Sequence, residues 1–290
     1  MGNKQEKRSE LLTGWENEQE ELTIDVGERT PKIIQLTDPH IFKEEKGCLL
    51  GLNTRKSLRA VLEDIVDKEI NPDLIIATGD ISQDQTPESY EYFSTVMDEL
   101  GLPICWIPGN HDDVHQMAKS VKGVNISAAK KINIGQWQII LLDSALPGQV
   151  YGRLGREQRN YLTKAIKSQQ VSYLLPVLHH HPVDIECQWI DPLGLEDADE
   201  FFEILDGCSS IRGLLWGHIH QMYDQYRGKI RMLATPSSSV QFKPFSKEFS
   251  ADTESPGYRI LDLTDEGKIE TQVNRIDHIE FTVDYTVKGY

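Results

Sequence analysis

Five short polar motifs, each placed directly after a short apolar run, restrict the folds open to this chain more than any other feature of its sequence. The apolar runs have the length of buried strands and cover residues 32–37, 74–78, 104–107, 173–178 and 214–216. The motifs after them are Asp38-Pro39-His40, Gly79-Asp80, Gly109-Asn110-His111-Asp112, His179-His180-His181-Pro182 and Gly217-His218-Ile219-His220. Because the carboxyl ends of strands in an open α/β sheet line one crevice, we predict that the motifs converge in space.

The side chains of these motifs are carboxylates, imidazoles and an amide, which suit Mn, Fe, Zn or Ni better than a soft metal. Asp80 is the natural bridging ligand, since its two oxygens can serve two ions. Pro39 favours extended geometry at Asp38, so we expect Asp38 and His40 to share one face of an extended segment. Taken alone, each motif could also be a simple polar turn; the metal-site interpretation depends on their combination.

The pattern between residues 32 and 107 alternates strand and helix, which predicts right-handed βαβ units. Asn53 or Thr54 can cap a first helix, and Thr86-Pro87 begins a second that Gly101 ends. Further along we predict a strand at 136–143, a helix near 156–168, an irregular acidic stretch at 184–200 and a strand-rich segment at 229–290. The prediction is one α/β domain over residues 32–290, preceded by a flexible N-terminal extension over residues 1–31.

The formal net charge of −16 disfavours binding to nucleic acid or to an acidic lipid surface. The N-terminal residues MGNKQEKRSE lack an apolar signal core, and Glu6 stands where myristoylation requires Ser or Thr. The four cysteines form no CxxC pair, which is typical of reduced thiols in a cytoplasm. We therefore expect a cytoplasmic protein with a small-molecule partner, no nucleic acid and no membrane; a homodimer is left open.

The order D-x-H, GD, GNHD, H-x-P and GHxH resembles the calcineurin-like metallophosphoesterase superfamily. More closely, several stretches between Ile33 and Tyr290 resemble bacterial class III 3′,5′-cyclic AMP phosphodiesterases: LTDPHIF, LLGLNT, ATGDISQDQ, WIPGNHD, QWQIILLDS, LHHHP, LWGHIHQ and LATPSSSVQFKP. The resemblance implies the metallophosphoesterase fold, two packed mixed β-sheets flanked by helices in a four-layer α/β/β/α sandwich. It also implies two metal ions per chain, with Fe, Mn or both as the expected metals.

The resemblance further assigns roles to individual residues. It implies a first metal held by Asp38, His40, Asp80 and His220. It implies a second metal held by Asp80, Asn110, His180 and His218, where His180 is chosen because the family ligand precedes Pro by two positions. His111 is implied as the catalytic proton donor, and substrate contacts are implied for His40, Asp80, Asn110, His111 and His220. The segment 234–244 is implied to shape the nucleotide pocket.

The function implied by the resemblance is metal-dependent hydrolysis of 3′,5′-cyclic AMP to 5′-AMP, through a dinuclear centre whose bridging hydroxide attacks the phosphorus. An alternative is a phosphodiesterase for a glycerophosphodiester or a 2′,3′-cyclic nucleotide, because the motifs recognise the phosphate and not the alcohol. A metal-poor scaffold that binds proteins and a nuclease are further alternatives. Gln83 and Asp84 depart from the purple acid phosphatases, which carry Tyr at position 83, and from the protein Ser/Thr phosphatases, which carry Asp-Arg at positions 83 and 84.

Overall fold

The computed structural model describes residues 21–289, which form strands and helices in the following order. The strands are β1 (Glu21–Ile24), β2 (Lys32–Leu36), β3 (Cys48–Leu49), β4 (Leu52–Asn53), β5 (Leu74–Thr78), β6 (Ile104–Ile107), β7 (Ile126–Ser127), β8 (Lys131–Ile134), β9 (Trp137–Leu141), β10 (Tyr173–Val177), β11 (Gly213–Trp216), β12 (Tyr223–Arg227), β13 (Ile230–Ala234), β14 (Gly257–Leu263) and β15 (Ile269–Arg275). The helices are α1 (Thr54–Asp67), α2 (Pro87–Asp98), α3 (Val114–Ser120), α4 (Gly155–Ser168) and α5 (Ala198–Asp206).

The strands β3 and β4 pair with each other as a small antiparallel sheet, and the other strands build two mixed sheets. One has the order β1-β8-β9-β10-β11-β13-β12, and the other has the order β15-β14-β2-β5-β6-β7. The strands β2, β5 and β6 run parallel to one another, as do β9, β10 and β11. All of these parallel strands except β9 carry one of the polar motifs at the carboxyl end, so the topology brings the motifs of each sheet to a common edge.

Three apolar clusters hold the sheets and helices in four layers. Alternate residues of a strand point to opposite faces of its sheet, and β2 shows the result: Ile33 packs between the two sheets, whereas Ile34 packs against the helices outside. The helices α1 and α2 cover the six-stranded sheet, and α4 and α5 cover the other one. This is the α/β/β/α sandwich that was expected.

Both predicted helix starts are confirmed. The side chain of Asn53 accepts a hydrogen bond from the backbone N–H of Lys56 at the start of α1. The hydroxyl of Thr86 accepts one from the backbone N–H of Ser89 at the start of α2, whose first residue is Pro87. A cap and the backbone N–H group that it binds lie within four residues of each other, so helix starts can be predicted from the local sequence.

Other elements differ from the sequence-based expectations. The strand β1 lies within the segment expected to be an extension and pairs in parallel with β8, so residues 21–24 are part of a sheet. Residues 1–20, the rest of that segment, lie outside the described residues. The acidic stretch expected to be irregular ends in α5, because Phe201, Phe202 and Leu205 supply a buried apolar face. Between residues 21 and 289, no helix is long and apolar enough to cross a membrane.

Candidate metal centre

The polar motifs of both sheets meet at one buried site. Asp38, Asp80, His179 and His218 each lie two residues after the last residue of a strand, namely β2, β5, β10 and β11. Asn110 lies three residues after the end of β6. The side chains of Asp38, His40, Asp80, His179, His218 and His220 are all buried. The five motifs therefore converge as the sequence predicted.

The backbone at this site lies in the left-handed region that residues other than glycine rarely adopt. The φ angles are 52° at Asp38, 48° at His40, 50° at Asp80, 68° at His218 and 50° at His220. Asp38 is thus not extended as Pro39 led us to expect, since the chain turns sharply after β2. Such strained residues cluster at functional sites, where the surrounding structure holds them in place.

Two glycines of the motifs allow the loops to approach one another. A Cβ atom on Gly109 would lie 2.1 Å from Asp80 Oδ1, and one on Gly79 would lie 2.4 Å from His179 Nδ1. Neither position has room for a side chain. The glycines before Asp80 and Asn110 are therefore required by the close packing of the site and not only by a turn.

Three imidazoles have Nδ1 bound to an oxygen that can only accept a hydrogen bond. The pairs are His40 with Gln83 Oε1 at 2.6 Å, His179 with the Thr78 carbonyl at 2.7 Å and His220 with the Val240 carbonyl at 2.7 Å. Nδ1 must carry the proton in each pair, so in the neutral ring Nε2 presents a lone pair. This is the arrangement by which proteins orient metal-binding histidines.

The Nε2 atoms of His40 and His220 lie 3.1 Å apart. Burial lowers the pKa of His40 to about 3, so its ring is neutral. The two Nε2 atoms are close enough to bind one shared cation. The carboxylate atom Asp38 Oδ1 lies 3.4 Å from His220 Nε2, is buried and has no hydrogen-bond partner. A metal ion bound by these three side chains would satisfy all of these atoms.

Asp80 lies between histidines from both sheets. Its Oδ2 atom is 3.8 Å from His40 Nε2 and 3.4 Å from His179 Nε2, while its Oδ1 atom accepts the backbone N–H of His111 at 2.8 Å. Ligand atoms of Asp80 lie within 4.8 Å of those of His40 and His111 in one group, and of those of Asp38 and His179 in another. The position of Asp80 therefore suits a carboxylate that bridges two ions.

The H-x-P spacing pointed to His180 as the residue beside the carboxylates, but in the structure His179 lies there. His179 Nε2 faces Asp80 and lies 3.2 Å from Asn110 Oδ1. Both ring nitrogens of His180 have other partners, the Ser144 hydroxyl at 2.8 Å and the Val150 carbonyl at 3.1 Å. His180 still groups with His179 and His218 as a possible metal ligand, but the contacts of His179 with Asp80 and Asn110 favour His179. His179 lies two residues after the end of its strand, as Asp38, Asp80 and His218 do.

His218 provides another buried imidazole nitrogen close to His179. Its Nε2 atom is buried without a hydrogen-bond partner, and its ring centroid lies 5.1 Å from that of His179. Its backbone N–H donates to Asp38 Oδ2 at 3.1 Å, which links the loops after β11 and β2. Burial lowers the pKa of His218 well below its usual value, so its ring is neutral and able to bind a cation.

The charges of the site also fit bound cations. Burial alone would raise the pKa of Asp80, but the charges of His179 and His111 outweigh burial and lower it well below the usual value. Burial would lower the pKa of His179, but the Asp80 carboxylate raises it to about 9. The Asp80 carboxylate thus attracts positive charge at the place where a cation would lie.

Two further sets of polar contacts hold this geometry. The Asp112 carboxylate accepts the backbone N–H groups of Ile81, Ser82 and Gly109, which ties the loops after β5 and β6 together. The hydroxyls of Ser237 and Ser239 donate to the main-chain oxygen of Asp38 at 2.7 and 2.9 Å. These serines are buried, so this part of the segment 234–244 supports Asp38, whereas the whole segment was expected to shape the nucleotide pocket.

Comparisons with known proteins agree with this geometry. The family model for calcineurin-like phosphoesterases matches residues 31–222. The chain is 42% identical over 258 residues to the 3′,5′-cyclic adenosine monophosphate phosphodiesterase CpdA of Pseudomonas aeruginosa, covering 89% of this chain and 94% of that protein. It is 40% identical over 265 residues to the protein of the same name from Escherichia coli K12, covering 91% and 96%.

Solved structures share the fold at low sequence identity. Purple acid phosphatase PPD1 from yellow lupin seeds superposes with a TM-score of 0.62 at 12% identity, covering 89% of this chain and 53% of that one. A dimetal phosphatase from Danio rerio superposes with a TM-score of 0.55 at 14% identity, covering 86% and 100%. At this level of identity the likeness concerns the fold alone.

Proposed function

The chain belongs to the calcineurin-like phosphoesterase family, and we propose that it hydrolyses 3′,5′-cyclic AMP to 5′-AMP at a centre of two metal ions. The proposed ligands of the first ion are Asp38, His40, Asp80 and His220. The proposed ligands of the second ion are Asp80, Asn110, His179 and His218. Fe, Mn or both are the proposed metals, because the ligand set combines oxygen and imidazole donors without thiolates.

The observation that carries this proposal is the overlap of the potential ligand groups. Asp80 belongs to two of these groups, one with His40 and His111 and the other with Asp38 and His179. Overlapping groups suit two adjacent ions better than one. The choice of cyclic AMP as substrate is supported by the relatives described above, which carry that activity in their names and align over most of their length.

When bound, two divalent cations polarise phosphoryl oxygens and lower the pKa of water to about 7. The side chains of the site contribute position and protons. Asn110 lies with its amide beside His179 Nε2 and can offer its N–H groups to a phosphoryl oxygen. The proposed substrate contacts are those of His40, Asp80, Asn110, His111 and His220.

Hydrolysis forms a bond between phosphorus and a water oxygen and breaks the bond from phosphorus to O3′, which then needs a proton. We assign this proton to His111, which is partly exposed, whereas His40 beside it is buried. The two rings meet edge to face with centroids 4.9 Å apart, and the backbone N–H of His111 is held by Asp80. A ring at the edge of the site can exchange its proton with solvent between turnovers.

A cytoplasmic location is part of the proposal. It is supported by the four cysteines, Cys48, Cys105, Cys187 and Cys208, all of which are free thiols. Free thiols are typical of a reducing compartment.

The experiment that tests the function is turnover of cyclic AMP by protein purified without chelators and reconstituted with Mn, Fe or Mg in parallel. The expected result is two equivalents of bound metal and 5′-AMP as the product. Glycerophosphodiesters and 2′,3′-cyclic AMP are measured beside it. A higher kcat/KM for either of these would replace the substrate but keep the metal centre, whereas a protein that binds no metal would refute both.

A further inference from the structure

A cavity of about 350 Å³ lies next to the proposed metal centre and has no role in the chemistry described so far. Its walls come from three segments: Tyr151, residues 181–184 and residues 191–198. The volume is within the range of about 300–1,000 Å³ that is typical of small-molecule sites. It is therefore large enough for a part of the substrate.

Backbone hydrogen bonds between the three segments form the cavity in advance of any ligand. The backbone N–H of Gly152 donates a hydrogen bond to the carbonyl of Gly194 at 3.0 Å, and the backbone N–H of Glu196 donates one to the carbonyl of Gly152 at 2.8 Å. The N–H of Leu195 donates to the carbonyl of His181 at 2.9 Å. A preformed cavity binds a ligand without the cost of ordering its own walls.

The cavity shares a wall with the second metal position. The ring of His181, which lines the cavity, stacks on the ring of His218 with centroids 5.5 Å apart and an interplanar angle of 16°. The carbonyl of Val150, next to the cavity residue Tyr151, accepts a hydrogen bond from His180. The ring of His181 alone would thus separate a group in the cavity from the His218 side of the proposed metal centre, where the phosphate would bind.

The lining excludes an anionic group. Among the lining residues that the structure describes there is no Lys or Arg, while Asp184, Asp191 and Glu196 bring carboxylates. The Asp191 carboxylate already accepts hydrogen bonds from the backbone N–H groups of Ile185 and Cys187. The Glu196 carboxylate lies 3.6 Å from the Arg153 guanidinium, with which it forms an ion pair. Asp184 is exposed and forms no ion pair within residues 21–289. The fitting ligand is uncharged and carries N–H donors.

From this we infer that the cavity takes the nucleoside part of the substrate, with its base on the apolar surface of Pro182, Pro192 and Leu195. Asp184 accepts a hydrogen bond from the exocyclic amino group of that base. The inference rests on the proposed function, because it places the phosphate at the metal centre. It also identifies Asp184 and the space beside Ala198 as determinants of the choice between a nucleotide and a simple phosphodiester.

The test compares cyclic AMP with methyl p-nitrophenyl phosphate, a diester that has no nucleoside. Ala198→Phe fills the cavity, and Asp184→Asn removes the carboxylate. Each variant is expected to lower kcat/KM for cyclic AMP at least about 10-fold more than kcat/KM for the simple diester, as for the loss of one good hydrogen bond or apolar contact. Asp199→Asn, an exposed acid on the same helix but outside the lining, is the matched control and should leave the ratio unchanged.

A second measurement does not depend on cyclic AMP being the substrate. Inhibition of methyl p-nitrophenyl phosphate hydrolysis by 5′-AMP is compared with inhibition by inorganic phosphate. Wild-type protein should bind 5′-AMP more tightly, and Ala198→Phe should remove that advantage while it keeps two equivalents of metal. Equal effects of the variants on both substrates, or an unchanged preference for 5′-AMP, would overturn the inference. Failure of the wild type to hydrolyse cyclic AMP would refute the proposed function instead.

Discussion

The hydroxyl of Ser237 donates a hydrogen bond to the main-chain oxygen of Asp38 at 2.7 Å, across a sequence separation of 199 residues. Ser239 donates to the same oxygen at 2.9 Å. Asp38 has a φ of 52°, a conformation that costs on the order of 1 kcal/mol or more in a residue other than glycine. The two hydroxyls hold the strained residue in the position where its carboxylate faces His220.

We therefore expect Ser237→Ala to weaken metal binding about 10-fold, the lower end of the effect of removing a group that supports a ligand. The cause is the freedom that Asp38 gains when one of its two donors is lost. The measurement is the metal dissociation constant by competition with a chelator. Ser209→Ala, at an exposed serine, should leave the constant unchanged. Equal affinities of the Ser237 variant and the wild type would refute the supporting role.

His179→Ala should reduce the bound metal from two equivalents to one and lower turnover of cyclic AMP at least about 100-fold. The reason is that His179 Nε2 faces Asp80 and Asn110. His180→Ala, the matched variant of the next residue, should keep both equivalents because its nitrogens contact Ser144 and Val150. Elemental analysis separates the two cases, and the opposite pattern would restore His180 as the ligand.

Asp80→Ala should remove both metals, since Asp80 is the proposed bridging ligand between the histidines of the two sheets. The remaining imidazoles would then lose their common partner. Circular dichroism serves as the check that the variant is folded. Retention of two equivalents of metal by a folded Asp80→Ala protein would contradict the bridging assignment.

Asn110→Ala and His111→Ala should each lower kcat for cyclic AMP at least about 100-fold, the size of effect seen when one donor to a transition-state oxygen is removed. His111→Ala should keep two equivalents of metal, because its proposed role is proton transfer and not metal binding. Steady-state kinetics at saturating metal provide the measurement. Near-normal turnover by either purified variant would rule out the corresponding role.

Leu215→Ala should lower the free energy of unfolding by about 2–5 kcal/mol, as for other large cavities made in apolar cores. Leu215 is fully buried in the cluster between the two sheets. Urea denaturation of the variant and of the wild type measures the difference. Leu22→Ala, at a partly buried residue of β1 that packs at the border of the same cluster, should cost less.

The sequence predicted the convergence of the polar motifs because its signals are local. Each proposed ligand follows a strand within a few residues, and the strands are visible as apolar runs. The caps at Asn53 and Thr86 are equally local and were placed correctly. Local signals did not separate the adjacent histidines: the spacing to Pro182 pointed to His180, whereas in the structure His179 faces the Asp80 carboxylate.

What the sequence by itself determined is the α/β class, the succession of the core strands along the chain and the set of polar residues at their ends, because periodicity, caps and motifs depend on neighbours along the chain. Only the tertiary structure decided which of three adjacent histidines faces Asp80, that Ser237 supports Asp38 and that a cavity lies beside His218. These are contacts between segments far apart in sequence, and their geometry is set by how the two sheets pack against each other.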